Sequence, residues 1–452
     1  MTAYCLTMPT TRARAPWIGL LVSLALVAAA FAVPPVLDWQ VWPRAPRSLA
    51  AGELAPMHGY WQPKLLGPGT LPAIALAVLG WRYAVDLAER LSWRRLLLTS
   101  YVVGLAWLLA LAFVDGTSGI SRVLGDDYEY LRSARAVTDV HALLQTYVER
   151  IPYSAPDNWP THPAGHPPGA LLFFVGLVRL GLGGDFAAGL VVTVIAATTA
   201  LAVMTTLRAL GSETMARRAA PFLVLTPAAV FMAVSADALF AAVAAWGLAC
   251  LALGARSAAR GRLVAWSVLA GLLLGCGVMM SYGLPLVGLL AVAVLVLARS
   301  WLPLPVAALS ALAVVLAFAV GGFTWWSAYP VLNDRYWDGI AADRPASYWM
   351  WGNLAALLVC AGPLLGAGLA QAVALRRRAD RVVLLLVGAA AGAIVLADLS
   401  RMSKAEVERI WLPFVPWLMI STALLPERWR RAGVAAQVVS ALLVQQLLYT
   451  SW

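Results

Sequence analysis

The densest chemistry in the sequence is Gly125-Asp126-Asp127-Tyr128-Glu129-Tyr130-Leu131, where three carboxylates fall within four residues. Carboxylates that close together can take a proton from a hydroxyl or hold a divalent cation such as Mg or Mn. The same residues also read as helix punctuation. Asp126 and Glu129 have capping-box spacing, and acids suit a helix N-terminus electrostatically. The two uses are compatible, because a cap orients its neighbours.

A second stretch runs Trp159-Pro160-Thr161-His162-Pro163-Ala164-Gly165-His166-Pro167-Pro168-Gly169. Its prolines forbid an ordinary helix, so His162 and His166 are poorly placed as a zinc pair. A stiff segment leading into an apolar helix at 169–182 fits better. It would hold both imidazoles near the acids to make hydrogen bonds or touch phosphate, or else serve as a plain turn.

The third stretch is 398–411, the place where Arg401, Lys404 and Arg409 meet between two apolar runs. Such cations suit a phosphate leaving group, Arg bidentately. They also suit ion pairs with Glu406 and Glu408, or interfacial anchoring beside Trp411 and Trp417. Residues 325–346 mix rings and charges, including Trp326, Tyr336 and Trp337, as a sugar-binding surface or an aromatic belt would. Asp237, two residues after Ser235, either reaches the same surface or caps a helix.

The elements that must position these groups are membrane spans. The 452 residues are 62% hydrophobic and 12% charged, with mean hydropathy +0.79. Soluble proteins carry about 25% charged residues, so a water-soluble multidomain chain is excluded. Apolar segments at 16–33, 71–89, 96–114, 186–208, 217–235, 237–254, 263–280, 283–299, 302–324, 347–374, 380–397, 407–425 and 432–450 predict an all-α, polytopic, single-domain membrane protein of about 13 transmembrane helices. The first, preceded by Arg12 and Arg14, also has the form of a signal peptide, and its loss would leave the rest unchanged.

With a cytoplasmic N-terminus, 20 of the 33 basic residues fall in short inner segments, as the positive-inside rule asks. The long outer loops are then 34–70, 115–185, 325–346 and 398–406. Residues 167–182 are short for a crossing and read as a helix lying at the outer face. Only Lys64 and Lys404 are lysine, a bias of composition that points to no nucleic-acid partner. Arg runs at 376–381 and 428–431 read as topology signals and contacts to membrane lipids. Cys5, Cys250, Cys276 and Cys360 lie in apolar runs or the N-terminal tail and imply no disulfide framework.

An acidic motif in an early outer loop, a His-Pro-Pro element opening an apolar helix, and then Ser235-Ala236-Asp237-Ala238 between two spans resemble the GT-C superfamily of integral-membrane glycosyltransferases. Met280-Ser281-Tyr282-Gly283 matches a polar-aromatic break found there. The likeness covers roughly residues 115–300. It departs in having two extra spans before the acidic loop, where many members have one, and no large soluble domain after the last span.

The resemblance implies inverting transfer of a sugar from a polyprenyl-phosphate donor to a cell-envelope glycan or glycolipid on the extracytoplasmic face. Asp126 or Asp127 would be the general base and Glu129 a supporting group. Arg401, Lys404, Arg409, His162 and His166 would hold the donor phosphate. Tyr128, Tyr130, Asp237, Tyr282, Trp326, Tyr336, Trp337, Glu406 and Glu408 would contact the acceptor. Metal dependence stays open. The competing reading is a multi-span transporter or lipid flippase for an envelope precursor, which predicts ionisable residues near mid-span and broken helices in matching halves.

Overall fold

The computed structural model describes residues 10–44 and 54–450; Cys5 and the side chain of Arg12 lie outside the described residues. The chain is nearly all helical. Its helices are α1 (Thr10–Val36), α2 (Thr70–Arg90), α3 (Trp93–Ala112), α4 (Ser118–Gly125), α5 (Tyr130–Ala136), α6 (Val140–Thr146), α7 (Thr161–Gly165) and α8 (Pro168–Arg179). They continue with α9 (Asp185–Ala196), α10 (Thr199–Ala209), α11 (Glu213–Val224), α12 (Ala229–Met232), α13 (Ala236–Ala255), α14 (Arg260–Val278), α15 (Gly288–Ala298) and α16 (Pro303–Val320). The last are α17 (Trp325–Trp337), α18 (Ala346–Ala361), α19 (Leu364–Leu375), α20 (Arg381–Leu399), α21 (Val407–Ile410), α22 (Val415–Met419) and α23 (Arg430–Leu447). One two-stranded antiparallel ribbon pairs β1 (Gly59–Trp61) with β2 (Leu448–Thr450).

Eight helical stretches among the described residues are long and apolar enough to cross a membrane: α1, α2, α3, α9 with α10, α13, α14, α16 and α20. A ninth is counted if α18 and α19, bent by 104° at their junction, form one span. Of the other four apolar segments expected to cross, three do not form single long helices, and the fourth, 432–450, forms the 18-residue α23, whose arginines and glutamines make it less apolar than the counted spans. Helix α11 carries Pro221 within it and stops at Val224, where Thr226-Pro227 separates it from α12. Pro285 opens a 3-10 turn that leaves α15 with 11 residues. Pro413 and Pro416 divide 407–425 into short pieces, and the C-terminal end of 432–450 leaves the helix to pair as β2. Each break follows from a missing proline N–H or from a competing backbone partner.

The core is built on α13, 83% buried, whose alanines and glycines let α9, α10, α14 and α15 approach. A Cβ on Gly271 would lie 2.2 Å from the carbonyl oxygen of Ala307, so α14 and α16 meet backbone to backbone. By contrast α16 is only 11% buried and presents Leu309, Leu312 and Leu316 outward, as a lipid-facing helix does.

The C-terminal ends of α3 and α20 and the N-terminal ends of α9 and α13 lead into the long polar connections. Residues 115–185 carry α4 to α8 and pack as an ordered layer over that end of the bundle. Arg335 of α17 pins this layer: its guanidinium donates to the carbonyls of Ile151 and Trp159 and lies 4.0 Å from the Tyr153 ring.

Candidate functional site

Four sequence-distant segments meet at one buried polar cluster. Glu129 stands at the N-cap of α5 and is only 4% exposed. His162 comes from α7, whose backbone N–H is tied to the Tyr128 carbonyl at 3.1 Å. Asp237 lies in the first turn of α13, behind the N-cap Ser235, whose Oγ accepts from the Ala238 N–H. Arg409 sits on α21, following a loop with left-handed backbone at Arg401, Ala405 and Glu406.

Arg409 joins them. Its Nη1 donates to Asp237 Oδ2 at 2.6 Å, and its Nη2 donates to His162 Nδ1 at 3.1 Å and to Glu406 Oε2 at 3.3 Å. An arginine can only donate, so His162 Nδ1 must accept, and the ring proton resides on Nε2. That nitrogen lies 3.4 Å from Glu129 Oε1. A line of polar contacts therefore runs Asp237–Arg409–His162–Glu129, its first two links hydrogen bonds. Burial and the neighbouring Arg409 push His162 well below the usual imidazole range, in keeping with a neutral ring. His166, with its Nδ1 3.0 Å from the His162 carbonyl, packs edge-on to Tyr130 and is also lowered, first by burial.

Glu129 differs from the other carboxyls. Burial raises it to about 8, Arg409 opposing and Asp237, Asp126 and Glu406 reinforcing the shift. Its Oε2 and the Tyr130 hydroxyl beside it have no hydrogen-bond partner among the described residues. A carboxyl poised near neutrality, with one oxygen unengaged, can exchange a proton with a bound hydroxyl.

Glu406 goes the other way. Burial would raise it, but His58, Arg344 and Arg409 reverse this and hold it below the ordinary carboxylate range. Burial lowers His58 to about 4, so the standing countercharges are the two arginines. His58 was assigned no role from sequence, and Arg344 figured only among the charges of the 325–346 surface. His58 is a lone histidine in a Pro- and Gly-containing loop, yet its N–H donates to Glu408 Oε1 at 2.9 Å and its Nδ1 is 3.6 Å from Glu406. Arg344 donates to the carbonyls of Trp42, Pro43 and Lys404 as well as facing Glu406. Asn353 was also missed. Its amide nitrogen donates to Asp398 and to the Ser403 carbonyl, and its oxygen accepts from the Ala405 N–H, which shapes the 398–406 loop.

The remaining residues expected from sequence scatter around this centre. Asp126 and Asp127 are exposed. Asp126 closes a turn by accepting from the Tyr128 N–H, and Asp127 pairs with Arg132 at 2.6 Å on the surface. The Glu129 side chain makes no capping bond. Lys404 is buried, with Nζ donating to the Arg344 carbonyl and lying 4.6 Å from the Trp337 ring; its N–H donates to the Tyr336 hydroxyl. Arg401, Tyr128 and Trp326 are exposed. Tyr130 stacks on Phe174, and Tyr282 lies under the stacked pair Trp325 and Tyr329, apart from the cluster. Among the described residues no group of three His, Cys, Asp or Glu side chains is arranged to hold a metal ion. Comparison of the chain with protein-family models, curated proteins and solved structures gives no match.

Proposed function

We propose that this chain is a membrane glycosyltransferase of GT-C type, moving a sugar from a polyprenyl-phosphate donor to an envelope glycan or glycolipid, with its N-terminus cytoplasmic and its site extracytoplasmic. The observation that carries the reading is the meeting of an acid poised near neutrality, Glu129, with a rigidly held cation, Arg409, in one buried cluster at the end of an apolar bundle. An inverting transfer needs both: a base for the acceptor hydroxyl and a countercharge for the departing phosphate. A lipid-linked donor arriving sideways from the bilayer would meet such a cluster at the membrane edge.

Of the three carboxylates in the acidic motif, Glu129 is the one we assign as base. Asp126 and Asp127 form the lip above it, Asp126 close enough to raise Glu129 electrostatically. Ionised Glu129 takes the acceptor proton through its unengaged Oε2 while His162 Nε2–H steadies Oε1. Lys404 and Arg344 hold the 398–406 loop in shape behind Arg409. A divalent cation remains an optional partner of the exposed lip.

The test is transfer by purified protein from a panel of labelled polyprenyl-phosphate sugars to a crude envelope-glycan acceptor. One donor is consumed by wild type, Glu129→Gln abolishes transfer while donor binding persists, and Asp127→Asn retains it. No consumption of any donor, or full activity in Glu129→Gln, brings forward the transporter or flippase reading.

A further inference from the structure

Apart from the buried cluster, the outer layer holds a polar cavity of about 370 Å³, walled by α5, α6, the turn between them and Trp159-Pro160. This is at the low end of the ~300–1,000 Å³ of small-molecule sites. Its polar lining comes from Arg132, Ser133, Thr138, Asp139 and Arg150, over a floor formed by Trp159.

Arg150 is held in advance of any ligand. Its guanidinium lies 3.5 Å from the centre of the buried Trp159 ring, and its Nε donates to the Asp157 carbonyl at 2.9 Å and faces the Asp157 carboxylate. No described residue accepts from its two terminal nitrogens. Asp139 uses Oδ1 to accept from the N–H groups of His141 and Ala142, which fixes the side chain and leaves Oδ2 without a protein donor. Ser133 and Thr138 hydroxyls make no protein hydrogen bond among the described residues. A planar donor fork and a fixed acceptor, both immobilised, match paired hydroxyl groups on a ring, because little rotamer freedom is lost on binding.

The charges argue for a neutral ligand. Around the cavity Arg132 and Arg150 are already faced by the exposed carboxylates of Asp127 and Asp157, and Asp139 adds a further negative charge. The lining arginines are thus neutralised by partners just outside the cavity, and with Asp139 these five groups sum to one negative charge, which gives an acidic ligand no net attraction.

We infer that this cavity binds one neutral sugar residue, its vicinal hydroxyls bracketed between the terminal nitrogens of Arg150 and Asp139 Oδ2. That the sugar belongs to the acceptor rests on the transferase reading; the binding does not. Pro160 of the cavity wall is two residues from His162, and Arg132 pairs with Asp127 at the lip, so a glycan seated here is led toward Glu129.

The experiment is saturation-transfer NMR on the detergent-solubilised full chain with methyl glycosides of mannose, arabinose, galactose and glucuronate. At least one neutral glycoside binds wild type. Arg150→Met, which keeps the packing on Trp159 but not the donors, weakens it about tenfold or more with an unchanged unfolding temperature. Asp139→Ala, which removes the acceptor, weakens it as well. Binding by none of the sugars, by glucuronate alone, or equally by Arg150→Met overturns the inference. Arg150-dependent sugar binding in a protein that consumes no polyprenyl-phosphate sugar upholds the cavity and removes the transferase reading instead.

Discussion

At the scale of single residues the cluster is governed by which groups share Arg409. Glu129 carries the clearest pH signature. Below about pH 4.5 folded and unfolded chains both hold its proton. Between 4.5 and about 8 the unfolded chain ionises first, so ionisation favours unfolding and stability falls across that window. Glu129→Gln removes this cost. Its advantage over wild type grows from pH 4.5 to 8, is flat above, and is on the order of a few kcal/mol at full size. Thermal unfolding of both proteins across that range measures it; a constant difference would contradict the assignment. In the transferase reading the base must be ionised, so turnover rises with pH to a plateau above about 8. Asp237→Ala acts in the opposite sense on stability. It leaves Arg409 buried with a diminished countercharge, at a cost of about 3–5 kcal/mol, read from the unfolding midpoint in denaturant.

At the scale of elements the question is what brings these residues into register. Asn353 reaches from α18 to three points of the 398–406 loop, which needs help because Arg401, Ala405 and Glu406 all adopt left-handed backbone. Asn353→Leu fills the space but leaves buried donors and acceptors unmet, about 1–3 kcal/mol for each. Hydrogen exchange at Ala405 should quicken at least as much as global unfolding does; no change there would mean the loop is held from elsewhere.

Much of this could be read in the sequence. Composition and long apolar runs announce a helical membrane protein, the acidic motif and the His-Pro-Pro stretch lie in a long polar connection that packs over one end, and Arg409 was legible as an ion-pair partner of Glu406 but not as buried. The span count was harder, because hydropathy does not feel Pro227, Pro285, Pro413 and Pro416 breaking apolar runs into buried short helices. Asp126, Asp127 and Glu129 looked alike since one turn of backbone separates exposed from buried. His58, Arg344 and Asn353 were invisible in their roles because their partners lie far along the chain, as with the 350 residues between His58 and Glu408.

At the scale of the whole molecule the layer of α4 to α8 and the arginine-rich connections lie at opposite ends of the spans, which makes orientation measurable. In a chain whose four cysteines are replaced, Thr138→Cys should react with a membrane-impermeant thiol reagent on intact cells, whereas Arg377→Cys should react only after lysis. Labelling in the reverse order would turn the molecule over and with it the need for a lipid-linked donor.

The junction between α18 and α19 bears on how such a molecule lives in a bilayer. Gly362 turns the chain with φ +85°, and Gln437 of α23 fills the corner: its Nε2 donates to the Ala361 carbonyl at 2.7 Å and its Oε1 accepts from the Leu364 N–H at 3.4 Å. A sharp bend between apolar helices normally leaves bare peptide groups, which would draw a file of water into the hydrocarbon. Here one side-chain amide meets two of them, one as donor and one as acceptor. Two apolar helices thus change direction by 104° while both of these peptide groups keep a partner inside the protein.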